Sequence, residues 1–264
     1  MDKLFRVEVI AKTENPQQVI YQAMHQDYSE GFVADEVAPS EEKCGEIIVK
    51  RLLSGDRGHF GSCEHPSITF NCGWFPHSTM QQIRTHRVGI SIDCQSNRYT
   101  SERFLGVAAM IRKACKCHKP DYREIEHQAC NSLEIQDAID SVVYFRPVGT
   151  YTNRNGHSYQ YDEYDRLLDK IEAAKALIQY VCKLERGLSP EHARGMMPFD
   201  VRQHWVMSLN VRSLMHLLDL RWKKDAQLEC QQLCDLMWSH FELWTPQVAQ
   251  WYFANRGKKA RLAP

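Results

Sequence analysis

Residues 81–103 read QQIRTHRVGISIDCQSNRYTSER, the densest run of polar side chains in the chain. Ser78, with Gln81 three residues on, has the form of a capping box, so a helix over 79–87 is expected, ended by Gly89. On such a helix Gln82, Thr85 and His86 share a face, because positions three and four apart are neighbours. Arg84 and Arg87 flank that face, and Arg98 and Arg103 follow beyond the glycine. Ser91, Asp93, Gln95, Ser96 and Asn97 place short hydrogen-bonding groups between them. Arginine forks bind phosphate oxygens through paired, charge-assisted hydrogen bonds. The segment therefore suits a nucleotide, although a solvated basic face followed by a polar loop has the same composition.

Working outward, Phe5, Val7 and Val9 alternate with polar residues and predict a strand. Pro16 opens a helix carrying Val19, Ile20, Ala23 and Met24 on one face. Ser40 caps the next helix, with Glu41 and Glu42 in its first turn and Cys44, Ile47, Ile48 and Leu52 on its buried stripe. After a glycine-rich stretch over 54–62, residues 67–72 read as a strand with Ile68, Phe70 and Cys72 on one side. Residues 144–160 look like two aromatic strands joined by an Asn-Gly turn at Asn155-Gly156. The clearest helix runs over 163–186 and stops at Gly187, and Ser189-Pro190-Glu191 starts another. A final helix carries Cys230, Leu233, Cys234, Met237, Trp238 and Phe241, and a basic tail follows. These elements give an α+β fold, read as a single domain over 1–264 with a twisted, largely antiparallel sheet packed against helices.

Lys plus Arg and Asp plus Glu are 33 each, so the whole molecule has no long-range attraction for nucleic acid or membrane, and any anion site must be a local cluster of cations. No apolar run approaches the roughly 20 residues that span a bilayer, and no secretion signal opens the chain. The 10 cysteines then read as reduced thiols, and the expected location is cytoplasmic.

The order of residues adds a resemblance. Thr85-His86-Arg87, followed by Ser96, Arg98 and Tyr99, resembles the signature of the flavin-dependent thymidylate synthases: Arg-His-Arg, then Ser seven residues later, then Arg-Tyr. Here Thr85 replaces the first arginine and eight residues separate Arg87 from Ser96. Both departures are similar to a variant found in cyanobacterial and phage members. Gly58-His59 and Glu64-His65 are similar to the family's upstream histidine and Glu-His pair. Arg194 before Met197-Pro198-Phe199, the run Asn210-Val211-Arg212-Ser213-Leu214, and His216, Arg221, Gln227 and Glu229 extend the match in order. Asp225 stands where members often carry a histidine. An insert around 107–138 has no counterpart.

The resemblance implies a transferase that makes dTMP from dUMP and 5,10-methylenetetrahydrofolate, with FAD as hydride carrier and NADPH as reductant. It implies dUMP contacts from Gln82, Gln95, Ser96, Arg98, Arg194 and Arg221, with Arg221 the catalytic group. It implies FAD contacts from His59, Ser62, Thr85, His86, Arg87, Asn210, Arg212 and His216, and a homotetramer with shared active sites. No metal is expected. FAD rests on the resemblance alone, since no G-x-G-x-x-G turn occurs.

Three alternatives compete with that scheme. Cys94 lies inside the polar segment, where a thiolate activated by Arg87 and Arg98 would attack uracil instead, although cysteine more often packs as a small hydrophobe. Cys115, Cys117 and His118 are spaced too tightly for an ordinary zinc pair. A non-catalytic nucleotide- or RNA-binding module would use the interleaved arginines and aromatics for stacking, but zero net charge argues against it.

Overall fold

The computed structural model describes residues 1–55, 59–153 and 155–259; Gly58 and the end of the basic tail lie outside the described residues. The chain begins with β1 (Arg6–Lys12), α1 (Pro16–Gln26), α2 (Glu41–Ile48), β2 (Ser67–Pro76), α3 (His77–Ile83) and β3 (Ile90–Cys94). Next come α4 (Glu102–Cys115), α5 (Tyr122–Asn131), α6 (Leu133–Val142), β4 (Gly149–Thr152), β5 (Ser158–Tyr161) and α7 (Glu163–Glu185). It ends with α8 (Pro190–Ala193), β6 (Arg202–Asn210), α9 (Val211–Arg221), α10 (Leu228–Trp244) and α11 (Pro246–Asn255).

The main sheet is antiparallel throughout, in the order β1-β2-β6-β3. In β2, Ile68, Phe70 and Cys72 are buried as their alternation predicts, and they pair across to Leu209, Met207 and Trp205 of β6. Helices α1, α2, α9, α10 and α11 cover that apolar face, and their side chains form one cluster with it. The other side of the β2–β6 pair is polar, with Thr69 and Ser208 hydroxyls 2.9 Å apart.

A second cluster is wholly helical in its bulk: α4, α5 and α6 pack on α7 through Phe104, Ile111, Ile125, Ile139, Leu177 and Tyr180. The insert is therefore the cover that buries one side of α7. Arg202 ties the two clusters together. Its buried guanidinium donates to the Asp140 carbonyl at 2.7 Å, to the Trp74 carbonyl at 2.9 Å and to Asp2 at 2.6 Å.

The structure corrects several local expectations. Helix α3 starts at His77 and ends at Ile83, so Ser78 sits inside the first turn and its hydroxyl accepts from Gln227 instead of capping. β4 and β5 are joined by a five-residue loop, not a two-residue Asn-Gly turn; the Asn153 side chain accepts from the backbone N–H groups of Asn155 and His157. The helix expected through Cys230 to Phe241 is α10, and a further helix, α11, follows it after Thr245-Pro246. Ser40 does cap α2, accepting from Lys43, and the long helix α7 starts on an Asp162–Asp165 capping box.

Candidate active site

Helix α3 presents two faces with different chemistry. His77, Met80, Gln81 and Arg84 follow one another at helical spacing and line a cavity of about 550 Å³. Gln95, Ser96 and Asn97, just beyond β3, form a second wall, and Arg194 with the turn after α8 forms a third. The Gln95 N–H donates to the His204 carbonyl at 2.9 Å, which prolongs the β3–β6 ladder and fixes where this wall begins. The chain then turns on Ser96, whose carbonyl accepts from Tyr99, Thr100 and the Thr100 hydroxyl. Among the described residues no aspartate or glutamate lines the cavity, so its arginines face an opening that attracts anions.

On the next stripe of α3, Ser78 and Gln82 face α9 and α10, with Thr85 in the turn beyond. Arg221, in the last turn of α9, is held there by four hydrogen bonds. Nε donates to His86 Nε2 at 2.9 Å and Nη1 to Gln82 Oε1 at 2.9 Å, while Nη2 donates to Thr85 Oγ1 at 3.2 Å and the Gln82 carbonyl at 3.3 Å. Gln227 links the stripe to α10, accepting from Gln82 and donating to Ser78. Because His86 Nε2 accepts from a guanidinium, its ring must be neutral there. Burial, then the charges of Arg221 and His216, push its value down from 6.5 to about 4. The His216 ring stands edge-on to it at 5.6 Å. Beneath the network the buried Cys230 thiol is pushed up to about 12 by desolvation, and it stays protonated.

The residues expected at the flavin lie along α9. Asn210 is its N-cap, accepting from Ser213 N–H at 2.8 Å, and the Ser213 hydroxyl donates to the Val88 carbonyl at 2.9 Å. That bond docks the loop carrying His86 and Arg87 against the helix. Arg212 is paired with Glu64 at 2.5 Å, which brings α9 to the turn at 61–64 that carries Ser62. His59 and Ser62 border a larger cavity of about 840 Å³, also lined by Tyr21, His25, Arg51 and His65.

Gln82, Thr85 and His86 do converge on one guanidinium, but not as one helix face: α3 ends at Ile83, and Thr85 and His86 are brought there by the turn beyond it, whose N–H groups donate to the Gln82 and Ile83 carbonyls. The expected nucleotide contacts do not all converge. Gln95, Ser96 and Arg194 share the cavity. Gln82 and Arg221 lie on the other side of α3, and Arg98 is exposed, paired with Glu191 at 2.9 Å. Arg84 and Gln227 were named from sequence but not assigned these places, Arg84 on the cavity face and Gln227 as the bridge between Gln82 and Ser78. Cys94 is exposed and lines the same cavity. Among the described residues no group of three or more histidine, cysteine or acidic side chains is placed to hold a metal, and no helix is long and apolar enough to cross a membrane.

Fold and site together define an α+β protein in which a short helix separates an acid-free, arginine-bearing cavity from an arginine fixed by a neutral histidine. The family model described as "Thymidylate synthase complementing protein" matches residues 8–247, and the chain belongs to that family. The chain is 30% identical to the flavin-dependent thymidylate synthase of Halobacterium salinarum over 98% of its own length and 100% of that protein. It is 37% identical to the enzyme of the same name from Nitratidesulfovibrio vulgaris, over 96% of this chain and 87% of that one. Among solved structures, it superposes on the UMP/dUMP methylase PolB from Streptomyces cacaoi with TM-score 0.65 and 18% identity, covering 98% and 96% of the two chains. It superposes on the flavin-dependent thymidylate synthase of Helicobacter pylori with TM-score 0.59 and 19% identity, covering 89% and 92%. These two share its fold.

Proposed function

We propose that this chain makes dTMP from dUMP and 5,10-methylenetetrahydrofolate in the cytosol, with FAD as hydride carrier and NADPH as reductant, as a homotetramer with active sites shared between subunits. The flavin-dependent formation of thymidylate follows from its family. The observation that carries the site assignment is Arg221, a guanidinium locked in place by His86, Gln82 and Thr85 with one of its five N–H groups left without a partner among the described residues.

The reaction needs the uracil ring to act as a carbon nucleophile at C5, which places negative charge on its carbonyl oxygens. A donor already oriented toward such an oxygen lowers the barrier without reorganising during the reaction. His86, held neutral, keeps Arg221 positioned without adding a second competing cation. Gln95, Ser96 and Arg194 supply the amide, hydroxyl and guanidinium that a nucleoside monophosphate requires, in a cavity of suitable size.

FAD fits the residues at α9: Asn210, Arg212 and His216 lie on it or cap it, the His86 ring stands against His216, and Arg212 reaches Glu64 in the turn that carries Ser62, beside His59. When bound, it supplies the hydride that completes the methyl group. The chain's own part is to orient the pyrimidine, supply cations to both phosphate groups and keep the Arg221 donor fixed.

The decisive experiment is NADPH oxidation by the purified, FAD-supplemented protein with and without dUMP, followed by tritium release from C5-labelled dUMP. Stimulation by dUMP with tritium release is expected. A colourless protein that ignores FAD and releases no tritium would sink the reading. The exposed Cys94 keeps the nucleophile alternative testable: Cys94→Ala is expected to retain turnover, and its loss together with a trapped uracil adduct on the wild-type thiol would favour that alternative.

A further inference from the structure

The arginines around the nucleotide site fall into two groups. Arg98 has its charge matched by Glu191, and Arg221 is committed to His86, Gln82 and Thr85. Arg84 and Arg194 both line the cavity, from the end of α3 and from the turn after α8, and neither side chain has a hydrogen bond or ion pair among the described residues. Behind the wall lies a third cation. Arg103 Nε and Nη1 are buried without a hydrogen-bond partner, Nη2 reaches Asn97 Oδ1 at 3.4 Å, and the guanidinium lies over the Phe104 ring at 4.6 Å. Burial pushes this guanidinium down to about 10. Asn97 is itself part of the cavity wall.

Arg84 and Arg194 are exposed and need no counter-ion of their own, but two guanidiniums facing one cavity, with buried Arg103 behind its wall and no carboxylate among its described lining residues, make that cavity electropositive and suited to an anion. A phosphate dianion carries enough charge and enough acceptor oxygens for two arginine forks. We infer that Arg84 is a phosphate-binding residue, closing with Arg194 on the 5′-phosphate of the nucleotide. This rests on the reading of the cavity as the dUMP site. Arg84 then sets specificity for nucleotide over nucleoside, while Thr85 beside it is free to serve as acceptor for Arg221.

The test compares Arg84→Gln and Arg84→Lys with the wild-type protein, measuring calorimetric dissociation constants for dUMP and for deoxyuridine. Arg84→Gln is expected to weaken dUMP by about 10- to 100-fold, the loss of hydrogen bonds to a charged group, and to leave deoxyuridine unchanged. Arg84→Lys is expected to recover part of the dUMP affinity because it keeps the charge. If the wild-type protein binds dUMP and Arg84→Gln binds it equally well, Arg84 has no such role while the dUMP reading stands. Equal weakening of both ligands would show that Arg84 acts by holding the wall, which also overturns the proposal. A wild-type protein that binds no dUMP removes the reading and this inference together.

Discussion

At the scale of single residues, the pair that matters most is Arg221 and His86. Four of the guanidinium's donors are spent on the protein, so its orientation is set before any ligand arrives. Arg221→Ala should lower turnover by about 10²- to 10³-fold, the usual cost of losing one donor to developing oxyanion charge, as measured by tritium release at saturating dUMP. His86 adds a pH dependence whose sign can be worked out. Its folded value is about 4 against 6.5 for a free histidine, so as the pH falls the unfolded chain takes up the proton first. The contribution to stability is full above about 6.5 and is lost as the pH drops through 4. Urea unfolding across that interval should show a fall in wild-type stability that His86→Gln flattens, since an amide oxygen can still accept from Arg221 and does not titrate. Equal slopes for the two proteins would mean that His86 is not held neutral.

At the scale of elements, the meeting of the 85–89 loop with α9 sets where the histidine and arginine point. Gly89 has φ of 65°, and a Cβ there would stand 2.2 Å from Ser213 Oγ and 2.7 Å from Asn210 Nδ2. Both atoms belong to groups already at work, Ser213 donating to the Val88 carbonyl and Asn210 capping α9. Gly89→Ala should therefore cost about 2–3 kcal/mol, from the left-handed backbone and the disturbed cap, and should reduce flavin retained on purification. Thermal melting and flavin absorbance read the two effects separately. Gly89 was read as a helix stop, but α3 ends at Ile83, and the role Gly89 does have, its contact with α9, was not legible because nothing local announces a neighbour more than a hundred residues away. The same limit explains β6. Trp205, Met207 and Leu209 alternate as a buried strand should, yet the run lies between a proline turn and a capped helix and has no turn signal of its own. β3 was hidden by its polar face: Ser91, Asp93 and Cys94 are exposed because β3 is an edge strand. The motif residues, by contrast, were readable in the chain as a group, although Thr85 and His86 meet Gln82 through the turn after α3 and not on a helix face.

At the scale of the whole molecule, α3 poses a geometric problem for any ligand bound within one protomer. Arg194 borders the cavity on one side of this helix, and Arg221 is tied to Gln82 and Thr85 on the other. With α3 in the place it has here, both belong to one site if the cavity of one copy meets the Arg221 side of another, as in a symmetric assembly whose interface runs along α3. That arrangement makes a prediction a single-protomer site does not. Arg194→Ala and Arg221→Ala should each be nearly inactive when assayed alone at dUMP below the wild-type KM. Mixed and refolded together in equal amounts, they should recover about one quarter of wild-type activity, because random association pairs an intact cavity with an intact Arg221 in about one composite site in four. Light scattering on the same mixture checks that it has re-formed the wild-type oligomer. No recovery from a correctly assembled mixture would place both arginines in one protomer's site and require α3 to move when the nucleotide binds.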